Sequence, residues 1–148
     1  RDGLHGAGGV LHMACASRSP CLAAVRMLIE ARCSVNSTSA PTNPFMRALA
    51  WSSVAAVRFR ALLGLRPSPT AWHFAVVPGA TPLHLAAAEG STDLARLLIE
   101  ARACCRRQNA LGYTALQVAE RTFGGQPPGP LAELLAGEPP EDAAKLPD

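Results

Sequence analysis

The feature that most constrains this chain is a helix-pair unit that recurs at a period close to 33 residues. Its best copy runs from Gly79 to Ala101 and reads GATPLHLAAAEGSTDLARLLIEA. Thr81 suits a helix N-cap, because its hydroxyl can take an orphan backbone N–H. Pro82 follows at the first helical position, where no amide hydrogen is needed. Leu83, Leu85, Ala86 and Ala87 then make a thin helix with little bulk beyond two leucines, and Gly90 ends it. Ser91 or Thr92 caps a second helix, with Asp93 in the first turn, where a carboxylate complements the helix dipole. Leu94, Leu97 and Leu98 stand at i, i+3 and i+4 and form one apolar face, which Ile99 widens.

Copies of the unit cover most of the chain. Thr114-Ala115-Leu116-Gln117-Val118-Ala119 follows Thr81 by 33 residues, and Gly112 follows Gly79 by the same interval. Upstream, Val10-Leu11-His12-Met13-Ala14 copies Pro82-Leu83-His84-Leu85-Ala86. Its partner helix, Met27-Leu28-Ile29-Glu30-Ala31-Arg32, nearly duplicates Leu97-Leu98-Ile99-Glu100-Ala101-Arg102. A degenerate copy stands between, with Asn43-Pro44-Phe45-Met46-Arg47-Ala48 for the first helix and Ala61-Leu62-Leu63 for the second.

The ordered run TPLHLAA, then Gly, then a leucine-rich second helix resembles the ankyrin repeat, whose signature includes T-P-L-H-x-A. The resemblance implies an all-α fold, an ankyrin-repeat solenoid of stacked helix pairs with finger loops between them. Four repeats are expected, at about 9–42, 43–80, 81–113 and 114–137, preceded by a partial finger loop at 1–8. The second and fourth are irregular. The second has Met46 in place of His, Arg47 inside its inner helix, and a finger holding Pro67, Pro69, Pro78, Trp72 and Phe74. The fourth lacks the Pro and His and carries GGQPPGP before its last helix. Residues 138–148 are Pro-rich and mostly acidic, the composition of a disordered tail or linker. One departure recurs. Arg32 and Arg102 stand after the outer helices, where a glycine with positive φ is usual, at a cost of about 1 kcal/mol each.

Composition excludes several classes. The net charge is +3, and the thirteen arginines and single lysine are spread along the chain, so no nucleic-acid stripe forms. The longest uncharged run, Pro67 to Ala88, holds four prolines and two histidines, so no spanning helix and no membrane insertion is expected. No signal peptide is visible, and the five cysteines have no disulfide-framework spacing, which favours an intracellular setting, cytoplasm or nucleus. The chain opens on Arg1 with an abrupt first repeat, which reads as a fragment of a longer protein or an incomplete gene model.

No catalytic constellation stands out. There is no nucleophile elbow, phosphate loop or metalloprotease helix. Cys104-Cys105 is a vicinal pair without C-x-x-C or zinc spacing. In the T-P-L-H context, His12 and His84 are expected to tie helix to finger loop by hydrogen bonds. Neither a metal nor a cofactor is expected, and the chain is read as a monomer, not an enzyme, that docks another protein as a scaffold or adaptor. The alternative is a substrate-recruiting or regulatory segment of a larger enzyme, such as a kinase, ubiquitin ligase or transferase outside this chain.

In ankyrin proteins the binding groove is built from finger tips and the exposed side of the inner helices. Matching each residue to its motif position, the resemblance implies a partner surface of Trp51, Ala88, Glu89, Leu111, Tyr113, Arg121 and Thr122, with Arg106 and Arg107 on a finger. Trp, Tyr and Arg are the usual interface anchors.

Overall fold

The computed structural model describes residues 8–16, 19–41 and 43–137. Among these residues are eight helices and no strand: α1 Gly8–Cys15, α2 Leu22–Glu30, α3 Pro44–Leu62, α4 Pro69–Val76, α5 Pro82–Glu89, α6 Thr92–Glu100, α7 Ala115–Thr122 and α8 Gly129–Ala136. Residues 1–7 and 138–148, expected as a finger loop and a tail, lie outside the described residues. No described helix is long and apolar enough to cross a membrane.

The best copy folds as its residues dictate. Thr81 caps α5, Pro82 takes the first helical position, and Gly90 ends the helix in the left-handed conformation. Glycine is required there twice over, since φ is +73° and a Cβ would come within 2.7 Å of Phe123 Cζ. Ser91, not Thr92, occupies the N-cap of α6. Leu94 and Leu98 are fully buried, whereas Leu97 is half-buried at the edge of the core.

The helices form a solenoid of stacked pairs. An inner row runs α1, α5, α7 and an outer row α2, α6, α8, each helix touching the next in its row. Leu11, Leu83, Leu94, Leu98 and Leu131 fill the core between rows, and alanines such as Ala86, Ala95 and Ala119 let the helices approach closely. The pair α1/α2 therefore sits directly against α5/α6, although α3 and α4 intervene in sequence.

Hydrogen bonds repeat with the stack. Thr81 N–H donates to His84 Nδ1 at 3.1 Å, so the ring proton is on Nε2, which donates to the Tyr113 carbonyl at 2.9 Å. His12 Nε2 donates to the Ala80 carbonyl at 2.9 Å, the corresponding bond one repeat earlier. The fingers are joined too: Asn36 donates to the Arg102 carbonyl at 3.2 Å and accepts from Cys104 N–H at 2.7 Å. In repeat four, Gln117 accepts from Thr114 N–H at 3.0 Å and keeps the capping half of the histidine's role. Arg32 and Arg102 have φ of 60° and 66°, the left-handed conformation their positions imply.

The stretch 43–80, expected as a helix pair, takes a different form. Asn43 caps and Pro44 starts α3, with the Asn43 side chain accepting from Phe45 N–H at 2.9 Å. The helix then runs unbroken to Leu62, through the positions assigned to a separate outer helix at Ala61–Leu63. The physical reason is missing punctuation. Between Phe45 and Leu63 there is no Gly or Pro to turn the chain, whereas Gly90 turns the third copy. Beyond Gly64, Ser68 and Pro69 start α4, the Ser68 hydroxyl accepting from Ala71 N–H at 3.2 Å. The main packing partners of α3 and α4 are each other.

The finger loops show where this helical insert enters. In the finger before α7, Asn109 N–H donates to Tyr113 O at 3.0 Å and Gly112 N–H to Asn109 O at 2.9 Å. In the finger before α5, Ser39 N–H donates to Ala80 O at 2.8 Å and Gly79 N–H to Ser39 O at 2.9 Å. The two bond pairs correspond, so residues 40–78 stand where Ala110 and Leu111 stand in the next finger. The Ser39 hydroxyl also donates to the Val77 carbonyl and closes the neck of the insert.

Candidate functional site

The insert folds back over the concave side of the stack. Val54, Val57, Trp72, Ala75 and Val76 of the insert share a core with Leu111 of the finger and Val118 of α7. Trp72 anchors this contact. Its indole N–H donates to Thr122 Oγ1 at 2.9 Å, and that hydroxyl donates in turn to Val118 O at 2.8 Å. The Trp72 and Tyr113 rings lie 6.1 Å apart, and the Arg121 guanidinium stands 4.5 Å over the Tyr113 ring. That spacing suits a cation–π contact.

Between α4 and the inner row lies a cavity of about 930 Å³. Its wall includes His12 and Met13 of α1, Leu85, Ala88 and Glu89 of α5, and Glu120, Arg121 and Thr122 of α7. The insert contributes Arg66, Trp72, His73 and Val76 to the opposite wall. The lining is mainly apolar, with two arginines and two glutamates at fixed places, the mixture that binding sites use for grip and orientation.

Burial favours the neutral form of three core groups, His84, Cys15 and Cys105. Burial pushes the His84 pKa below its ordinary value, against the raising effect of its hydrogen bonds to the Tyr113 and Arg107 backbone. Burial pushes the Cys15 thiol up to about 12 and raises Cys105, with the neighbouring Cys104 adding to the latter. A thiol kept protonated is a poor nucleophile and a poor metal ligand. Among the described residues, no group of three or more His, Cys, Asp or Glu side chains is placed to hold a metal ion.

Of the residues expected at the partner surface, Ala88, Glu89, Arg121 and Thr122 are brought together in the cavity wall. Tyr113 is half-buried behind them, between Trp72 and Arg121. Leu111 is buried in the core shared with the insert. Arg106 and Arg107 are exposed on the finger, where Arg107 donates to the Asn36 carbonyl at 3.1 Å. Trp51 stands apart on α3, 53% exposed, and is not in the cavity wall. Motif matching missed Trp72, Arg66 and His73, because the repeat template has no element at their place. The Ser68-Pro69 pair, an N-cap followed by a first-turn proline, was the signal that could have located α4.

Comparison with known proteins bears on the stack of helix pairs. A family model described as ankyrin repeats (3 copies) matches residues 11–138. A search of curated proteins finds no match.

Proposed function

The chain belongs to the ankyrin-repeat family, and from that premise we propose that it is a non-catalytic scaffold or adaptor. Its docking site is the cavity between the inner helices and the insert. Ankyrin repeats are generally protein-interaction modules. The observation that carries the proposal is the joint wall. Inner-row residues Ala88, Glu89 and Arg121 face insert residues Trp72 and Arg66 across a space of about 930 Å³. A groove closed on one side by α4 admits a partner segment rather than a flat surface. The apolar lining and the two arginines suit a segment with apolar and acidic side chains, oriented by Glu89 and Glu120.

Peptides selected from a displayed library against the immobilised full chain test this reading. Arg121→Glu changes an exposed charge in the wall and should weaken the selected peptides by more than about tenfold. Glu100→Ala on the outer helix, away from the wall, should leave them unchanged. Equal binding to Arg121→Glu, with loss in Glu100→Ala, would move the site to the convex side.

A further inference from the structure

α3 is apolar on two sides and packed on only one. Ala50, Ser53, Val54 and Val57 are its buried side. Ala48, Trp51, Ala55, Phe59 and Leu62 recur every three or four residues, so they form a second stripe on the other side. All five are exposed, with Trp51 at 53%, Phe59 at 63% and Leu62 at 85%. Exposed apolar side chains continue beyond the helix end at Leu63 and Leu65. A helix apolar all round is ordinarily covered all round, and an exposed apolar patch of this extent marks an interaction surface.

Charge says what covers it. Arg47 and Arg60, both exposed, stand on either side of the stripe, whereas the Arg58 guanidinium donates to the Ala110 carbonyl of the finger at 2.9 Å and Arg66 lines the cavity. No aspartate or glutamate occurs anywhere between Glu30 and Glu89. Against a second copy, this face would set arginines against arginines with no carboxylate among them, an arrangement like-charge repulsion disfavours. A groove on a partner protein reads a single helical stripe, and that leaves Leu63 and Leu65, beyond the helix, without a role. A planar, anionic, apolar surface uses all of these features at once.

We propose that the outward face of α3 lies on an anionic lipid surface, with its apolar stripe in the headgroup layer and its flanking arginines on lipid phosphates. Aromatic and leucine side chains on one face and basic residues beside them are the chemistry of helices that lie in the membrane interface without crossing it. Arginine stems can run along the apolar face while the guanidinium stays at the phosphate level. The cavity on the far side of the insert is not used, so this binding is independent of peptide docking.

The test uses the full chain and vesicles of phosphatidylcholine, alone or with about one-third phosphatidylserine. Cosedimentation with the anionic vesicles is expected, weakened by high salt. The chain has two tryptophans. Trp72 is already buried, so a blue shift on vesicle addition should come from Trp51 and disappear in Trp51→Phe. Phe59→Ser/Leu62→Ser should lower partitioning by about tenfold or more. Arg47→Glu/Arg60→Glu should do the same. All four positions are exposed, and an unchanged circular dichroism spectrum checks that the fold survives. The absence of vesicle binding overturns the proposal, as does equal binding by both double variants. A dimer in light scattering that Phe59→Ser/Leu62→Ser abolishes assigns the face to a second copy and overturns it as well. Binding to an acidic amphipathic peptide without vesicle binding also overturns it.

Discussion

The stack and its insert use similar residues to different effect. In the stack, Leu11, Leu83, Leu94, Leu98 and Leu131 are fully buried, because each helix pair has a neighbour of the same shape against it. In the insert, the small core around Val54, Val57 and Trp72 leaves Phe45, Phe59, Leu62, Leu63 and Leu65 in solvent. α3 is the longest helix described, yet one side of it is exposed, with Trp51, Phe59 and Leu62 on it. Apolar content alone therefore does not make a core. In a solenoid, burial comes from the neighbouring repeat, and a helix outside the rows is covered, among the described residues, mainly by α4, with Leu111 of one finger and Val118 of α7 in the shared core.

Truncating matched leucines breaks this contrast most directly. Leu98→Ala in α6 removes a fully buried side chain and should cost about 2 to 5 kcal/mol. Leu62→Ala in α3 removes one that is 85% exposed and should stay within about 0.5 kcal/mol. Urea denaturation of the two variants measures the difference. Similar losses at both positions would mean that α3 is covered in solution.

The inter-repeat histidine rung belongs to the stack alone. His84 links Thr81 to the Tyr113 carbonyl, and His84→Ala leaves the buried Thr81 N–H without its ring acceptor while the half-buried Tyr113 carbonyl keeps only its Asn109 N–H donor. That should cost about 2 kcal/mol. The same residue sets a pH dependence. Its folded pKa lies below its ordinary value, chiefly through burial. As pH falls below about 6.5, the unfolded chain takes up a proton that the native histidine resists. The stability contributed by the neutral ring is thus present above that pH and lost below it. Denaturation midpoints at pH 7.5 and 5.5 should show the decline in the wild type and a smaller decline in His84→Gln.

Legibility divides along the same line. In the best copy, the signals are local: Thr81, Pro82, Gly90 and the Leu94–Leu98 face act within a turn or two of themselves, and the structure follows them. The family, the all-α solenoid and the histidine bonds were readable for that reason. α3 was not, because the repeat template placed a turn in a stretch that has no residue to make one. Tyr113, Arg121 and the α5 residues of the cavity could be placed by motif position, since the inner row is regular. Trp72 could not, because what covers the concave side depends on how residues 40–78 fold back, a tertiary choice with no local mark. Trp51, matched to an inner-helix position, sits on a helix that the template does not contain.

Removing the insert sharpens the comparison. Its neck copies the finger bonds of Asn109, Gly112 and Tyr113, so residues 40–78 should be replaceable by an Ala-Leu dipeptide. The six remaining helices should still melt in one cooperative transition. The loss should be about 1 to 2 kcal/mol, from apolar surface uncovered at Leu111 and Val118. A chain that no longer folds would make the insert a structural member of the stack.

The smallest expected effect isolates backbone conformation from burial. Among the helix ends with a residue in the left-handed region are Gly64 after α3, with φ of 69°, and Arg102 after α6, with φ of 66°. The insert uses glycine there, whereas the outer helices α2 and α6 of the stack use Arg32 and Arg102. A Cβ on Gly64 would meet nothing within 4 Å, so Gly64→Arg tests conformational cost without a clash. It should destabilise by about 1 kcal/mol. Arg102→Gly should gain up to the same amount, reduced by the added freedom of the unfolded chain. The Arg102 carbonyl, which accepts from Asn36, is kept in that variant. Opposite signs in thermal melts are the expected result. If Arg102→Gly also destabilises, the arginine side chain holds the finger, and its recurrence at Arg32 has a contact rather than a tolerated strain as its cause.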